Sequence, residues 1–491
     1  MPLIDSDELV SDLMKMPTDL KKEAVKWISD NERRLIEISD AIWGFAEVGF
    51  REFKSSALLA DELRKTGFKV DMGIAGMPTA FVASYGSGRP VIGVMGEYDA
   101  LTGLSQKAIP TKEPVVEGGP GHGCGHNIHG TSGMAGAIAA KVAMESAKIK
   151  GSIKFFGTPA EEMGSGKVFM VRDGVFDGVD AVLSHHPGTM NLATLATSLA
   201  NNSVRFHFYG VAAHAAGAPD QGRSAMDGVE LMNVGVNFLR EHIVQEARIH
   251  YVVQDGGTQP NVVPAYARSW YLIRAPERDQ LDFIYDWVLD IAKGAAQMTR
   301  TTHKVEFLKG IFNKIPNKTL SELVTRNMRE IGPVRYEKDE LDFAHEISKS
   351  ISADMKRATL RKSKRPDWEK LVDIELDTTI PDAWNEGEVM AGSTDVSDVS
   401  WKAPTLEFGT TTQVLGTPGH SWQDTAQNGM GIGHKSLIFA AKTIATSVLD
   451  LLTTPGLFQK AQTEHRERLA GRTYKPPIPS DLKPPLDMWG K

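Results

Sequence analysis

Short apolar strands that each end in a cluster of polar residues are the feature that most restricts what this chain can fold into. The strand segments and their clusters are 91–95 with Glu97 and Asp99, 153–156 with Glu161 and Glu162, and 181–184 with His185 and His186. Helical segments separate the strands, among them a run of small residues at 131–147, and this alternation is typical of an α/β fold. Ligands in open α/β sheets bind beyond the carboxyl ends of the strands. The pattern therefore predicts an α/β protein with a ligand site beyond these strands.

The composition is that of a soluble enzyme and disfavours several other classes of protein. Of the 491 residues, 41 % are apolar and 24 % are charged, and the formal net charge of −7 gives no indication of nucleic-acid binding. One cysteine excludes an intramolecular disulfide and is typical of a reducing compartment. Residues 1–7 have no basic start, and no segment reaches the ~18 uninterrupted apolar residues of a membrane span. We therefore expect a cytoplasmic protein with no signal peptide, no nucleic-acid partner and no membrane partner.

The pattern of apolar and polar residues changes near residue 198, which indicates an inserted domain. Segment 204–208 alternates apolar and polar residues like a strand with one solvated face, and a long helix is predicted over 224–241. We predict three parts: the first part of a catalytic domain at 1–197, a small α+β insert at 198–312, and the second part of the catalytic domain at 313–491. The second part carries a charged, helical insert at 337–390 and an extended proline-rich tail at 473–491.

The only cysteine lies in a glycine-rich motif, GHGCGHN at 121–127. A lone cysteine is most often an apolar core residue, but Cys124 has glycine on both sides and His126 two positions later. The glycines let the backbone bend both donors toward one point, and a thiolate with an imidazole is a zinc-type ligand pair. A phosphate-binding loop is the competing interpretation, which the lack of a Gly-Lys-Ser/Thr ending disfavours. Cys124 and His126 are therefore predicted metal ligands, with His122 and His129 as structural neighbours.

Glu161 and Glu162 follow an apolar strand and a proline turn. Acidic residues also favour the start of a helix, which is the structural alternative for this pair. Two adjacent ionised carboxylates in one pocket need a nearby cation. One glutamate can bind a metal while its neighbour accepts a proton from a metal-bound water. The pair is therefore predicted to supply one metal ligand and one general base.

Further groups are candidates for the same site. His185 or His186 can bind a metal, and the alternative for either is a hydrogen-bonded core histidine. Asp99 can accept the second N–H of a ligating histidine and fix its tautomer, or it is an ordinary turn residue. His420 lies in a rigid loop rich in glycine and proline that suits the presentation of one ligand. Residues 393–395 (Ser-Thr-Asp) either line the same pocket or cap a helix.

These motifs, with others along nearly the whole chain, resemble one enzyme family. The matching stretches are FAEVGF (45–50), GEYDALTGLSQ (96–106), GHGCGHN (121–127), TPAEEMGSGK (158–167), HAAGAPDQGRSAMD (214–227), PNVVP (260–264), GSTDVSDVSW (392–401) and GTPGHSWQ (416–423). By their number and order, the chain is identified as similar to the di-metal aminoacylase/carboxypeptidase family, in the branch that uses a Cys-Gly-His motif. That branch includes auxin-conjugate amidohydrolases and hippurate-type hydrolases.

The resemblance implies a fold and a metal site. The expected fold is a catalytic domain with a mixed sheet flanked by helices, in which the insert at 198–312 is a lid and dimerisation domain. The general base is implied to be Glu161. The implied metal ligands are Cys124, His126, Glu162, His186 and His420. They would hold two divalent ions per subunit, where thiolate and imidazole ligands suit zinc and the branch often works with manganese.

The resemblance also assigns residues outside the metal site. His214 would reach the active site of a partner subunit and stabilise an oxyanion, and Asn261 would contact substrate or intermediate. Arg274 would meet a substrate carboxylate, with a plain surface arginine as the alternative.

The activity implied is hydrolysis of the amide bond of an N-acyl amino acid, in particular an N-aroyl one, with p-aminobenzoyl-glutamate as the leading candidate substrate. A homodimer formed through the lid domain is expected, or a hetero-oligomer with a related subunit. Two other functions stay open. One is hydrolytic deamination of an aromatic amine, and the other is an auxiliary role that needs a related partner subunit.

Overall fold

Helices and strands alternate through the first part of the chain, as the apolar pattern predicts. The computed structural model of the protein describes residues 18–488. The expectation of no signal peptide therefore concerns residues outside the described part. The elements of this first part are α1 (Thr18–Asp30), α2 (Glu32–Phe45), α3 (Phe53–Lys65), β1 (Lys69–Met72), β2 (Phe81–Ser87), β3 (Val91–Gly96), α4 (His126–Ser146), β4 (Gly151–Gly157), α5 (Glu161–Gly164), α6 (Gly166–Arg172) and β5 (Ala181–Gly188).

The middle of the chain forms an antiparallel sheet with two helices on one face. After a short strand, β6 (Thr197–Ser198), its elements are β7 (Ala200–Tyr209), α7 (Ala225–Leu239), β8 (Arg248–Asp255), β9 (Tyr266–Ala275), α8 (Arg278–Thr299) and β10 (Thr302–Ile311). The four strands lie in the order β10-β7-β9-β8. Buried and half-buried residues alternate along β9 because successive side chains point to opposite faces of a sheet. The buried face packs against α7 and α8 in one apolar cluster.

The last part of the chain returns to the first part. Its elements are α9 (Lys318–Ile331), α10 (Lys338–Ser348), α11 (Ala353–Lys362), β11 (Val389–Met390), α12 (Val396–Ser400), β12 (Thr405–Thr411), α13 (Trp422–Asn428), α14 (Gly431–Thr453) and α15 (Leu457–Leu469). Helices α10 and α11 occupy the charged stretch, in line with its helical prediction. The proline-rich tail has no helix or strand as far as residue 488. It buries Ile478 in an apolar cluster with residues of the first part of the chain, among them Phe156 and Val182.

A six-stranded mixed sheet organises the first and last parts of the chain. Its strand order is β1-β2-β4-β3-β5-β12. The pairs β4–β3, β3–β5 and β5–β12 are parallel, whereas β1 and β2 are antiparallel additions at one edge. The predicted α/β class with a mixed sheet flanked by helices is confirmed. Because four strands run in the same direction, the polar residues that follow them lie at one end of the sheet.

Two long helices, α4 and α14, pack against each other in the core beside this sheet. They approach closely at Gly136, where a Cβ would lie 2.5 Å from the Cγ2 of Ile444. Among the described residues, α14 alone is long and apolar enough to cross a membrane by length and composition, and 83 % of its most apolar window is buried inside the protein. Burial of this extent is typical of a core helix of a soluble protein.

Candidate metal centre

Six predicted site residues come together at the carboxyl ends of the parallel strands. They form three overlapping groups, and within each group the donor atoms lie within 4.8 Å of one another. The groups are Cys124, His126 and His186; Cys124, Glu162 and His420; and His126, Glu161 and Glu162. We call these six residues the donor cluster.

Distances within the donor cluster fit ligands that share an ion. The Sγ of Cys124 lies 3.4 Å from the Nε2 of His186, and the Oε2 of Glu162 lies 3.6 Å from the Nε2 of His420. Two ligands of one tetrahedral zinc ion stand roughly 3.3 to 3.6 Å apart. The Oε1 of Glu162 is buried without a hydrogen-bond partner in the described structure, and the Nε2 of His126 has only the carboxylate of Glu97 beside it, at 3.0 Å. Thiolate and imidazole donors next to an unpaired buried carboxylate oxygen therefore fit divalent metal ions.

Hydrogen bonds turn two histidine rings so that their Nε2 atoms face the cluster. The Nδ1 of His126 lies 2.9 Å from the Oδ1 of Asp99, and the Nδ1 of His186 donates to the carbonyl oxygen of Pro187 at 2.8 Å. Since a carboxylate or carbonyl oxygen only accepts, each ring carries a proton on Nδ1 and presents Nε2 to the cluster. The second oxygen of Asp99 accepts the backbone N–H of Glu162 at 3.0 Å. Asp99 thus positions two donors at once.

The neighbouring histidine, His185, points into the core. Its Nδ1 lies 2.9 Å from the Oγ of Ser132, and its Nε2 lies 2.7 Å from the Oγ1 of Thr410. Both ring nitrogens are therefore engaged by hydroxyl groups. Successive side chains of a strand point to opposite faces of the sheet. On β5, His185 therefore faces the core and His186 faces the donor cluster.

A glycine with a left-handed backbone sets the position of the cysteine motif. Gly125 has φ +71° and precedes α4, which begins at His126 and not at residue 131 as predicted. The prediction was wrong because the usual signal for a helix start, a capping side chain, is missing there. A Cβ at Gly125 would lie 2.7 Å from the Cγ of Pro187. The motif therefore lies directly against the turn that follows His186.

His420 completes the cluster from the loop after β12. Its backbone is also left-handed, with φ 54°, and its N–H donates to the carbonyl oxygen of Gly123 at 3.2 Å. This bond ties the His420 loop to the cysteine motif. The side chain is 55 % exposed, so His420 lies at the solvent side of the cluster.

Burial governs the acidity of the two glutamates. It raises the pKa of Glu162 to about 7. The pKa of Glu161 is raised well above its usual range by burial and by the neighbouring charge of Glu97, while Lys167 acts in the opposite direction. A bound cation favours the ionised form of a carboxyl group. The pair therefore has the chemistry for one ligand and one proton acceptor beside a metal ion.

A buried ion network, which the sequence analysis missed, lies beside the donor cluster. The Nζ of Lys167 is 2.6 Å from Glu97 Oε1 and 2.6 Å from Asp395 Oδ1, and no side chain of the three is more than 1 % exposed. The Oε2 of Glu97 in turn lies 3.0 Å from the Nε2 of His126. Asp395 stands at the N-cap position of α12 without a capping hydrogen bond, so of its two predicted roles the pocket-lining one fits. The position of Lys167 in the GSGK stretch was the only available signal.

His214 lies on the insert, outside the donor cluster of its own chain. It is exposed, and its Nδ1 accepts the N–H groups of Ala216 and Gly217 at 3.2 and 3.0 Å. An Nδ1 that accepts leaves the ring proton on Nε2. Over residues 18–488, His214 forms no hydrogen bond or ion pair with the cluster. The ring therefore presents an N–H donor to the solvent.

Asn261 and Arg274 lie on the same insert and also make no hydrogen bond or ion pair with the donor cluster within the described residues. Asn261 is exposed, and its carbonyl oxygen accepts the N–H of Ala215 at 3.0 Å, which connects it to the segment of His214. Arg274 is half-buried on β9, and its Nη1 lies 3.5 Å from the carbonyl oxygen of Ala391. Arg274 therefore lies at a half-buried position next to the segment that precedes residues 393–395.

Comparisons with known proteins match this arrangement to one family. Residues 93–428 match Peptidase family M20/M25/M40. The chain is 41 % identical over 479 residues to a subunit of the p-aminobenzoyl-glutamate hydrolase of Escherichia coli (strain K12), with a match that covers 94 % of this chain and 99 % of that protein. It is 28 % identical over 465 residues to the Xaa-Arg dipeptidase of Mus musculus, covering 92 % of this chain and 93 % of that protein.

A solved structure has the same fold. The YXEP protein of Bacillus subtilis, a dinuclear metal binding peptidase from the M20 family, superimposes with a TM-score of 0.56 at 17 % identity, covering 87 % of this chain and 99 % of that one. The family resemblance inferred from the motifs is confirmed by the match over residues 93–428 and by the relative that is 41 % identical. The chain belongs to Peptidase family M20/M25/M40.

Proposed function

We propose that this protein is a metal-dependent amidohydrolase that releases the amino acid from an N-aroyl amino acid, with p-aminobenzoyl-glutamate as the leading substrate. The observation that carries the proposal is the donor cluster, in which Glu161 lies beside five other metal-type donors. The relative that is 41 % identical bears the name of a hydrolase of this substrate, which supports the choice.

The residues proposed to hold two divalent ions, Mn²⁺ or Zn²⁺, are Cys124, His126, Glu162, His186 and His420. Ions bound there would supply an activated water and a Lewis acid for the scissile carbonyl group. The donor distances and the buried Oε1 of Glu162, which has no hydrogen-bond partner in the described residues, support this assignment. Asp99 would keep the donors His126 and Glu162 in position through its two oxygens.

Glu161 is the proposed general base and acid. It takes a proton from the attacking water, whose oxygen adds to the amide carbon to form a tetrahedral oxyanion. The carbon–nitrogen bond then breaks, and Glu161 returns the proton to the leaving nitrogen. Lys167 lies next to Glu97 and Asp395, and its charge favours the ionised form of Glu161 before proton transfer.

The insert, residues 198–312, is proposed as a lid and dimerisation domain between the two parts of the catalytic domain, 1–197 and 313–491. His214 supports this role, because it is exposed and, within residues 18–488, its Nε2–H donor forms no hydrogen bond or ion pair with the cluster of its own chain. In a dimer, this donor would stabilise the oxyanion in the active site of the partner subunit, and Asn261 would contact substrate beside it.

The relative that is 41 % identical is named as one subunit of its hydrolase, which favours a second candidate assembly. In this assembly, the chain would pair with a related subunit, either in addition to a second copy of itself or in place of it. We propose the cytoplasm as its location, since the single cysteine fits a reducing compartment.

The test is product release from p-aminobenzoyl-glutamate by the purified full chain, stripped with chelator and reloaded with manganese or zinc. We expect p-aminobenzoate and glutamate in equal amounts, and only in the metal-loaded protein. The matched control is Glu161→Gln, which keeps the size of the side chain and should retain both metal ions while turnover falls by about a thousandfold or more. Release of ammonia in place of glutamate, or no release despite full metal loading, would contradict the proposal.

A further inference from the structure

Two cations share the face of the insert sheet that points away from its helices. In the sheet register, Arg274 on β9 pairs with Asn201 on β7, which pairs in turn with Ile311 on β10. Lys309 lies two residues before Ile311, after the bulge in that strand, and so points to the same face as Arg274. Ile273, the neighbour of Arg274, belongs to the apolar cluster with α7 and α8 on the opposite face.

Neither cation has a carboxylate partner. Within residues 18–488, Lys309 and Arg274 form no salt bridge. Arg274 reaches only the carbonyl oxygen of Ala391 at 3.5 Å, and its Nε is buried without a hydrogen-bond partner. A half-buried cation gains most from an anion that also satisfies its N–H groups. Two such cations on one face are therefore prepared for a ligand with two negative groups.

This face of the insert packs against the part of the chain that carries the donor cluster. Ile311, which lies on this face two residues after Lys309, belongs to the same apolar cluster as Ala160, the neighbour of Glu161. Arg274, on the same face, reaches the carbonyl oxygen of Ala391. Burial lowers the pKa of Lys309 from its usual value, and the carboxylates of Glu161, Asp395 and Glu162 oppose that shift. The two cations therefore lie on the face of the insert that is turned toward the proposed site of amide cleavage.

We propose that Lys309 and Arg274 together form a subsite for the two carboxylates of the released amino acid, which makes the enzyme selective for amides of acidic amino acids such as glutamate. The inference rests on the proposed amidohydrolase function and goes beyond the single contact expected of Arg274. One cation is enough for the α-carboxylate that every amino-acid amide carries. The second cation contacts the side-chain carboxylate. A neutral side chain cannot form this ion pair, and a basic side chain would be repelled.

The subsite also gives an expectation for a basic product. The Xaa-Arg dipeptidase, 28 % identical to this chain, carries in its name a product with a guanidinium side chain. A guanidinium at the subsite of this chain would meet the like charges of Lys309 and Arg274. The subsite therefore favours an acidic product over arginine.

The test compares two amides that differ only in the side-chain carboxylate, p-aminobenzoyl-glutamate and p-aminobenzoyl-glutamine, with the metal-loaded full chain. We expect the native enzyme to prefer the glutamate compound in kcat/KM by about tenfold or more, the size of one charge-assisted contact. Lys309→Gln should reduce this preference to within about threefold by raising KM for the glutamate compound, and Lys309→Arg should retain most of it. The matched control, Lys304→Gln, lies on the same strand at an exposed position and should leave the preference unchanged.

The possible results separate the subsite from the amidohydrolase proposal. Unchanged preference in Lys309→Gln, or equal cleavage of both amides by the native chain, would overturn the subsite while the amidohydrolase function stands. Cleavage of neither amide by the native chain would overturn both. Retained cleavage of the glutamine compound by Lys309→Gln, within about threefold of native, shows that the metal site and fold of the variant are intact.

Discussion

Asp398 is a fully buried carboxyl group outside the donor cluster. The hydroxyl of Tyr474 donates to its Oδ1 at 2.8 Å, and the N–H of Phe312 donates to its Oδ2 at 3.2 Å. Burial outweighs these bonds and raises the pKa of Asp398 from 3.8 to about 7. The folded protein therefore binds this proton more tightly than the unfolded chain does. The stability it provides is fully present below about pH 4 and is lost as the pH rises to about 7.

We expect Asp398→Asn to remove this pH dependence. The free energy of unfolding of the variant, minus that of the native protein, should increase by on the order of 4 kcal/mol between pH 4 and pH 8, so the variant becomes relatively more stable as the pH rises. Urea unfolding at several pH values measures it, with Asp61→Asn, at an exposed position, as the control whose difference from native should stay constant. A constant difference for Asp398→Asn as well would show that this carboxyl group does not titrate differently in the folded state.

At the scale of single residues, the sequence predicted the types of donor better than the charges that surround them. Cys124, the Glu161–Glu162 pair and the His185–His186 pair could be recognised as candidates because each follows or precedes a strand or helix whose position fixes where it lies. The family resemblance then selected Glu162 and His186 as the metal ligands. Lys167 could not, because its burial depends on Glu97 and Asp395, which are distant in the chain and meet it only in the folded protein. A lysine among glycines and serines is otherwise a typical solvated residue.

At the scale of elements, the predicted location of the site was correct. Three parallel strands end at the same side of the sheet, so the residues that follow them lie close together. The start of α4 could not be predicted, because a glycine without a capping side chain precedes it. The position of His420 depends on a backbone hydrogen bond to Gly123, in a distant loop. Neither feature has a local sequence signal, since both depend on contacts between loops.

Gly125 provides a test of how strictly the motif backbone controls metal binding. An alanine there must adopt a left-handed conformation, at a cost of about 1–2 kcal/mol, and its Cβ would also lie 2.7 Å from the Cγ of Pro187. We therefore expect Gly125→Ala to lower the free energy of unfolding by more than about 2 kcal/mol and to reduce the metal content, because Cys124 and His126 flank the residue. Urea unfolding and elemental analysis measure the two effects.

The matched control for Gly125→Ala is Gly178→Ala. Gly178 has φ +76°, and nothing lies within 4 Å of a Cβ placed there. This variant should show only the left-handed penalty, about 1–2 kcal/mol, and keep its full metal content. If Gly125→Ala matched the control in both stability and metal content, the contact between the motif and the Pro187 turn would not position the ligands.

At the scale of the whole molecule, the site lacks one proposed group within a single chain. The donor cluster and Glu161 lie together, whereas His214 is exposed on the insert with its Nδ1 already engaged by two backbone N–H groups. If the insert of one subunit completes the site of another, two different inactive variants should restore activity when they are mixed. A mixture of His214→Ala and Glu161→Ala proteins tests this arrangement.

In a symmetric dimer with free subunit exchange, half of the mixed molecules contain one chain of each kind, and each of these has one complete site. We therefore expect the mixture to regain about a quarter of native turnover. Mixing His214→Ala with a chain that carries both substitutions is the control, because no pairing of those chains gives a complete site. If mass spectrometry of differently labelled chains shows exchange and turnover still does not return, His214 does not act across the subunit interface, and the site of each chain must be completed from within that chain or by a different subunit.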